Sequence, residues 1–406
     1  MATSLLKNAH NTILGSSATI LLLAGCAHTP STTNAVPPAA VQTADASEGL
    51  LQKVVDNHAE GVYRSWVGVH EAAIDLQKAI DAFVASPSQD TMQAARLAWV
   101  EGRTRYAPTE VFRFQNGPID RAEGPEGLIN AWPLDELYID YGKDSPNSGI
   151  IQDVDTWGDL TTELLVELNE KDGEENIATG WHAIEFLLWG QDTNPDGPGA
   201  RSYTDYVAGG GAPNPERRAA YLQLAAKLLV SHIEPLVQEW APGQADNHRT
   251  KFTANPTASL TGILTGMGML AGDELAGERI AVAWETRDPE DEQSCFSDTT
   301  HLDIIGNAQG IQDAWMGTLA GTTGPGPVEV LRAKDPTSAD EMNTSLKEMM
   351  LAVKAIPVPF DSAIQAPDDD PRRTAIEDSI KALENQAQVT NRAAKALGLK
   401  VNLEGG

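Results

Sequence analysis

A histidine and a glutamate three residues apart, His182 and Glu185, are the pair in this 406-residue chain best placed to do chemistry. On a helix, residues at this spacing share one face about 5–6 Å apart, so an imidazole and a carboxylate can reach one cation. Donors of these types suit zinc or iron. The same spacing also makes an ordinary hydrogen bond along a helix, and both readings stand on spacing alone. Asp298 and His301 repeat the spacing. All four side chains would converge if their helices faced each other across a cleft. Alternatively, Asp298 caps the helix that follows it and His301 bonds locally. Two other motifs fail on their own terms. His70-Glu71 opens like a zinc-protease helix, but Ile74 stands where the second histidine belongs. Asp192, Asn194, Asp196 and Gly197 begin like a calcium loop, but Tyr203 holds the place of the bidentate glutamate. A Gly/Pro/Asp turn is the better reading there.

Helices must position these groups. Apolar residues recur at helical spacing nearly throughout, with no sustained strand alternation, which predicts an all-α fold. The pattern predicts helices over 49–85, 90–106 (capped by Asp90), 156–169, 176–189 and 215–240. Weaker ones follow near 301–318, 338–356 and 371–397. Trp181, Ile184 and Leu188 make an apolar stripe that would hold the motif helix in the core, with the His–Glu pair at the stripe's margin. The stretch 259–284 carries five glycines at small-residue spacing, yet Asp273, Glu274, Glu278 and Arg279 within it argue against a membrane span. Close helix packing explains it better. A polar stretch at 241–256 marks the predicted boundary between two helical lobes, 49–245 and 246–406.

The formal net charge of −29 repels phosphate backbones, so no nucleic-acid partner is expected, while cations are attracted. Near the N-terminus, an apolar run from Ile13 to Leu23 is too short to span a bilayer and reads as a signal segment. Leu23-Ala24-Gly25-Cys26 after it resembles a bacterial lipobox. That resemblance implies cleavage of residues 1–26 up to a lipidated Cys26, anchoring to a membrane, and, with Ala27 next, sorting to the outer membrane. Residues 27–48, rich in Ala, Thr and Pro, read as a flexible tether. Cys295 is then the remaining thiol, expected to be buried and inert.

Gly180-x-His182-x-x-Glu185, followed by Phe186 to Gly190, resembles the imelysin family of exported bacterial proteins. Ala98-Trp99, Arg103, Trp132-Pro133-Leu134-Asp135, and Glu292 to His301 with Asn307 and Gly310 extend the likeness over essentially the whole mature chain. It is nearest the iron-regulated, imelysin-like branch. The resemblance implies a two-lobed helical bundle in the cell envelope, facing periplasm or cell surface, with the motif in a cleft between lobes. It implies binding of iron or an iron-containing ligand for uptake, with an envelope transport partner; the alternative is a zinc-dependent metallopeptidase on the same motif. It also places Arg103, Glu110 and Arg113 as polar residues supporting His182 and Glu185; Asp298 and His301 are further candidate ligands by their spacing alone.

Overall fold

The computed structural model describes residues 38–194 and 197–403, with side chains from residue 48 onward. The predicted signal segment, Cys26 and the first part of the tether lie outside the described residues. The rest of the predicted tether does not: the first helix runs Pro38–Ala85, starting well before Gly49. A proline at the first helical position, followed by Ala-Ala-Val-Gln, contains nothing that stops a helix.

Among the described residues there is no strand, only an isolated bridge between Gly142 and Ser145. The fold is all-α. Its main helices are Pro38–Ala85, Gln89–Tyr106, Gly180–Trp189, Pro215–Trp240, Thr300–Met316, Pro336–Val353 and Pro371–Leu397. Residues 44–406 cluster as one compact unit, and ion pairs such as Arg103–Asp303 and Glu110–Arg279 bridge the predicted lobe boundary.

Local chemistry sets the boundaries that the apolar pattern misses. Ser88, not Asp90, caps the second helix, and its hydroxyl accepts from Thr91 N in a capping box. The predicted helix 156–169 is two pieces, Val154–Trp157 and Thr162–Leu168, because Gly158 turns with φ of +53° and Thr161 caps a new start. The motif helix begins at Gly180 rather than near Asn176. The glycine-rich stretch packs tightly instead of crossing a membrane: a Cβ on Gly266 would lie 2.5 Å from the Val111 carbonyl oxygen. No helix among the described residues is long and apolar enough to span a bilayer.

All ten residues of Gly180–Trp189 are buried. The His–Glu pair therefore sits inside the core, not at the margin of an apolar face. The helix is enclosed by its neighbours, with Trp99 Nε1 donating to the Trp181 carbonyl at 2.9 Å on one side. A helix apolar almost all round belongs at the centre of a large domain. At its exit, Arg201 and Arg218 close on the buried Asp140 at 2.8 Å and 2.6 Å, which pairs charges that would otherwise be costly to bury.

Candidate functional site

The motif's glycine has a steric reason. Gly180 opens the helix at φ of +86°, and a Cβ there would meet the Ile129 carbonyl oxygen at 2.5 Å. The helix start is thus pressed against the segment that carries Asn130 and Trp132. Trp132 lies over His182, ring centres 4.8 Å apart.

His182 Nδ1 and Glu185 Oε2 are 2.9 Å apart, both side chains fully buried. The other oxygen, Oε1, accepts from Ser297 N at 3.0 Å and from Ser297 Oγ at 2.6 Å. Burial pushes Glu185 up to about 8; the Ser297 bonds oppose this and Asp303 adds to it. Burial, helped by the charges of Arg103 and Arg279, holds His182 well below the usual imidazole range. Burial thus favours the neutral form of each group. The carboxyl proton is then on Oε2, the oxygen not bonded to Ser297, and is donated to Nδ1, which leaves the ring proton on Nε2. That Nε2 is buried without a hydrogen-bond partner. When the pair loses one proton, Glu185 as a carboxylate accepts from Nδ1–H and leaves the lone pair on Nε2, the arrangement that prepares an imidazole to be a metal ligand. Glu185 has both oxygens engaged, Oε2 with His182 and Oε1 with Ser297.

Behind the pair runs a buried ionic chain. Arg103 Nε donates to Asp303 at 2.8 Å, and its NH1 reaches Asn130. Asn130 donates to Glu110 at 3.0 Å, and Glu110 also receives Arg279 at 2.8 Å and Arg113 at 3.1 Å. Burial alone would raise Glu110, but Arg279 and Arg113 outweigh it and hold the carboxyl at about 2. Arg113 and Arg279 share Glu274 as well. Glu274 and Arg279 are five residues apart in a wide-turned helical segment, Leu270–Ala281, where residues at that spacing come together. This chain ends at a cavity of about 540 Å³ lined by Trp132, Arg113, Arg279, Glu126, Glu274 and Glu278 among others. Trp132 touches both the cavity and His182.

Of the sequence-predicted site residues, His182 and Glu185 are together, and Arg103, Glu110 and Arg113 stand in the ionic chain behind them. Asp298 and His301 are placed otherwise. Among the described residues no hydrogen bond joins either to the pair. Asp298 does not cap the helix after it, whose first cap position, Thr299, has no side-chain bond. Its carboxylate instead meets Asp192 and Asp361, and His301 bonds back to the Asp298 backbone. Cys295 is buried, its thiol pushed well up by burial. Sequence reasoning missed Ser297, Asp303, Asn130 and Arg279 as partners. Ser297 and Asp303 flank the predicted Asp298–His301 pair, so the segment was signalled but the residues within it were not.

Three comparisons bear on this geometry. The imelysin family model (Peptidase_M75) matches residues 62–390. Iron-regulated protein A of Synechococcus elongatus is 23% identical over 350 residues, covering 81% of this chain and 84% of that protein. In fold, the chain is similar to a Parabacteroides distasonis crystal structure described as a candidate iron-regulated protein A precursor, with a TM-score of 0.67, 18% identity, and coverage of 90% of this chain and 98% of that one. It is also similar to an imelysin-like protein of Psychrobacter arcticum, with a TM-score of 0.62, 15% identity, and coverage of 87% and 97%.

Proposed function

Because this chain belongs to the imelysin family, we propose that it is an envelope lipoprotein that captures iron, in the form of an iron-containing ligand, for iron acquisition. The observation that carries the reading is His182 Nε2: a fully buried ring nitrogen with no partner, on an imidazole fixed from the other side by Glu185. One imidazole is too few donors to hold a bare ion firmly. It suits iron that arrives already chelated and has a position to exchange. The acidic lining around Arg113 and Arg279 gives such a ligand both signs of charge to meet, and Trp132 is the gate it must displace. The name of the Synechococcus relative, iron-regulated protein A, supports an iron-related role.

A zinc-dependent peptidase is the other reading of the motif. A catalytic zinc takes three protein donors and an open position. Here one histidine nitrogen is open and both Glu185 oxygens are engaged, which favours binding over hydrolysis. The Leu23-Ala24-Gly25-Cys26 pattern supports a lipid anchor and Ala27 after it the outer membrane, and a transport partner in the envelope would receive the cargo.

The test is calorimetric titration with ferric citrate, and separately with Fe(II) and Zn(II), of wild type and His182→Ala. The expected result is ferric citrate binding that weakens by at least about tenfold in the variant, the scale of losing a ligand-side contact. Equal affinity in the two proteins would remove His182 from the reading. Peptide cleavage dependent on Zn(II) and on His182 would favour the peptidase.

A further inference from the structure

Three carboxylates that are remote in sequence meet at the exit of the motif helix. Asp192 follows the helix, Asp298 ends the turn Cys295–Ser297, and Asp361 lies in the short helix Phe360–Ile364. One oxygen from each falls within 4.8 Å of the other two. Two ligands on opposite sides of a calcium ion, each about 2.3–2.6 Å from it, are that far apart. Like charges at such distances repel strongly unless something lies between them.

An acidic cluster on a surface would be unremarkable, but this one has a buried member. Glu292 is only 1% exposed, and neither of its oxygens makes a hydrogen bond of normal geometry, although the Thr300 hydroxyl lies beside it. After burial, the charges that push its carboxyl well up are those of Asp361, Asp298 and Asp192. One Asp298 oxygen is also buried without a partner. A carboxylate is seldom buried unless paired or bound to a metal, and among the described residues no ion pair gives Glu292 a cationic partner.

From this geometry we infer that Asp192, Asp298 and Asp361, backed by Glu292, form a binding site for a hard divalent cation of calcium size. All donors are oxygens, the preference of calcium and magnesium rather than of zinc. The site is separate from His182 but mechanically tied to it. Asp298 adjoins Ser297, which holds Glu185, and the Gly199 amide donates to the Phe296 carbonyl at 2.9 Å, fastening the Asp192 loop to the same turn. A cation here pins the loop after the motif helix to the turn that orients the motif. The partial calcium-loop pattern at Asp192 thus belongs to a site completed by distant segments, not by its own loop.

The test is calorimetric titration of EDTA-treated full-length protein with Ca²⁺ and with Mg²⁺ at pH 8, with the thermal midpoint read alongside. The variants are Asp298→Asn, Asp192→Asn and His182→Ala. Asp298 has φ of +55°, a conformation asparagine adopts readily, so the first variant retains its backbone. Asp192 is half-buried in a loop and tolerates the change independently. The expected result is Ca²⁺ binding and a Ca²⁺-dependent rise in midpoint. Both asparagine variants should lose affinity by more than the roughly tenfold typical of an outer contact, and His182→Ala should not. No Ca²⁺ binding up to about 1 mM, the weak end for extracellular modules, overturns the inference. So does binding unchanged in both asparagine variants, or a clear preference for Mg²⁺.

Discussion

Asp140→Ala is expected to destabilise the protein by about 4–5 kcal/mol, at the upper end of what breaking a buried ion pair costs. Asp140 is fully buried and accepts Arg218 Nε at 2.6 Å, Arg218 NH2 at 3.0 Å, Arg201 NH1 at 2.8 Å and Gln152 Nε2 at 2.7 Å. Arg218 is itself fully buried, and Arg201 nearly so. Removing the carboxylate leaves two guanidinium groups in the core with Asp205 as the remaining acid, 3.7 Å from Arg201. The damage lands on the motif. The Arg201 amide donates to the Trp189 carbonyl at 2.7 Å, and its guanidinium lies over Phe186 of the same helix. Urea denaturation followed by circular dichroism reads the loss as a lower midpoint at constant slope. Adding Arg218→Met to Asp140→Ala should recover part of it, since the unpaired buried charge is the main cost. A loss below about 1 kcal/mol in the single variant would mean that water or a rearranged acid takes Asp140's place.

The same logic sets the acid limit of stability. Glu110, held at about 2 against an ordinary 4.5, binds its proton less readily folded than unfolded. Its contribution is therefore fully present above about pH 4.5 and is lost as pH falls towards 2, amounting to roughly 3 kcal/mol. Asp140, also held below its usual range by Arg201 and Arg218 against the pull of burial, adds in the same direction. Glu185 has the opposite sign. Raised to about 8, it favours the folded state below pH 4.5, and that support fades as pH climbs to 8. Stability measured from pH 2 to 9 should rise from pH 2 to about 4.5, fall from there towards pH 8, and level off above it. A flat acid limb would show that the Glu110–Arg279 pairing fails to form in solution.

How much of this was legible in the sequence depends on the range of the interaction. Pro215–Trp240 and Pro371–Leu397 match the predicted ends because a first-turn proline and a long amphipathic repeat are both local. The pairing of Glu274 with Arg279 was hidden, since it needs the wide turn of Leu270–Ala281, and helical reading looks three or four residues away. Burial of the motif helix was hidden for a related reason: a polar pair beside an apolar stripe reads as amphipathic until the neighbouring segments are seen to enclose it. The pair's spacing was visible, but its division of labour was not. That division depends on Ser297, more than a hundred residues away, which binds one Glu185 oxygen and leaves the other to His182. Asp298 was singled out beside His301, as a partner of the His182–Glu185 pair. Its placement with Asp192 and Asp361 is a matter of chain topology that periodicity does not encode.

Glu185→Gln should separate folding from binding at the motif, with iron affinity falling by about 10–100-fold while the fold is kept. The amide fits the existing bonds: its oxygen accepts from Ser297 as Oε1 does, and its nitrogen donates to His182 Nδ1 in place of Oε2–H. The bonds to Ser297 and His182 are all kept, so stability at pH 6 should change by only about 1 kcal/mol. Above pH 7 the variant should hold up better than wild type, because it has no carboxyl proton to lose. What is lost is the ability to switch tautomer. In wild type, Glu185 can give up its proton and accept one from Nδ1, freeing the Nε2 lone pair towards a ligand. The glutamine donates to Nδ1 at all pH values, which keeps the ring proton on Nε2 and closes that nitrogen to iron. Ferric citrate titration together with nitrogen NMR of the imidazole distinguishes this from collapse of the site. If Glu185→Gln binds iron as tightly as wild type with its ring proton on Nε2, His182 is not the donor, and the orphaned nitrogen serves packing alone.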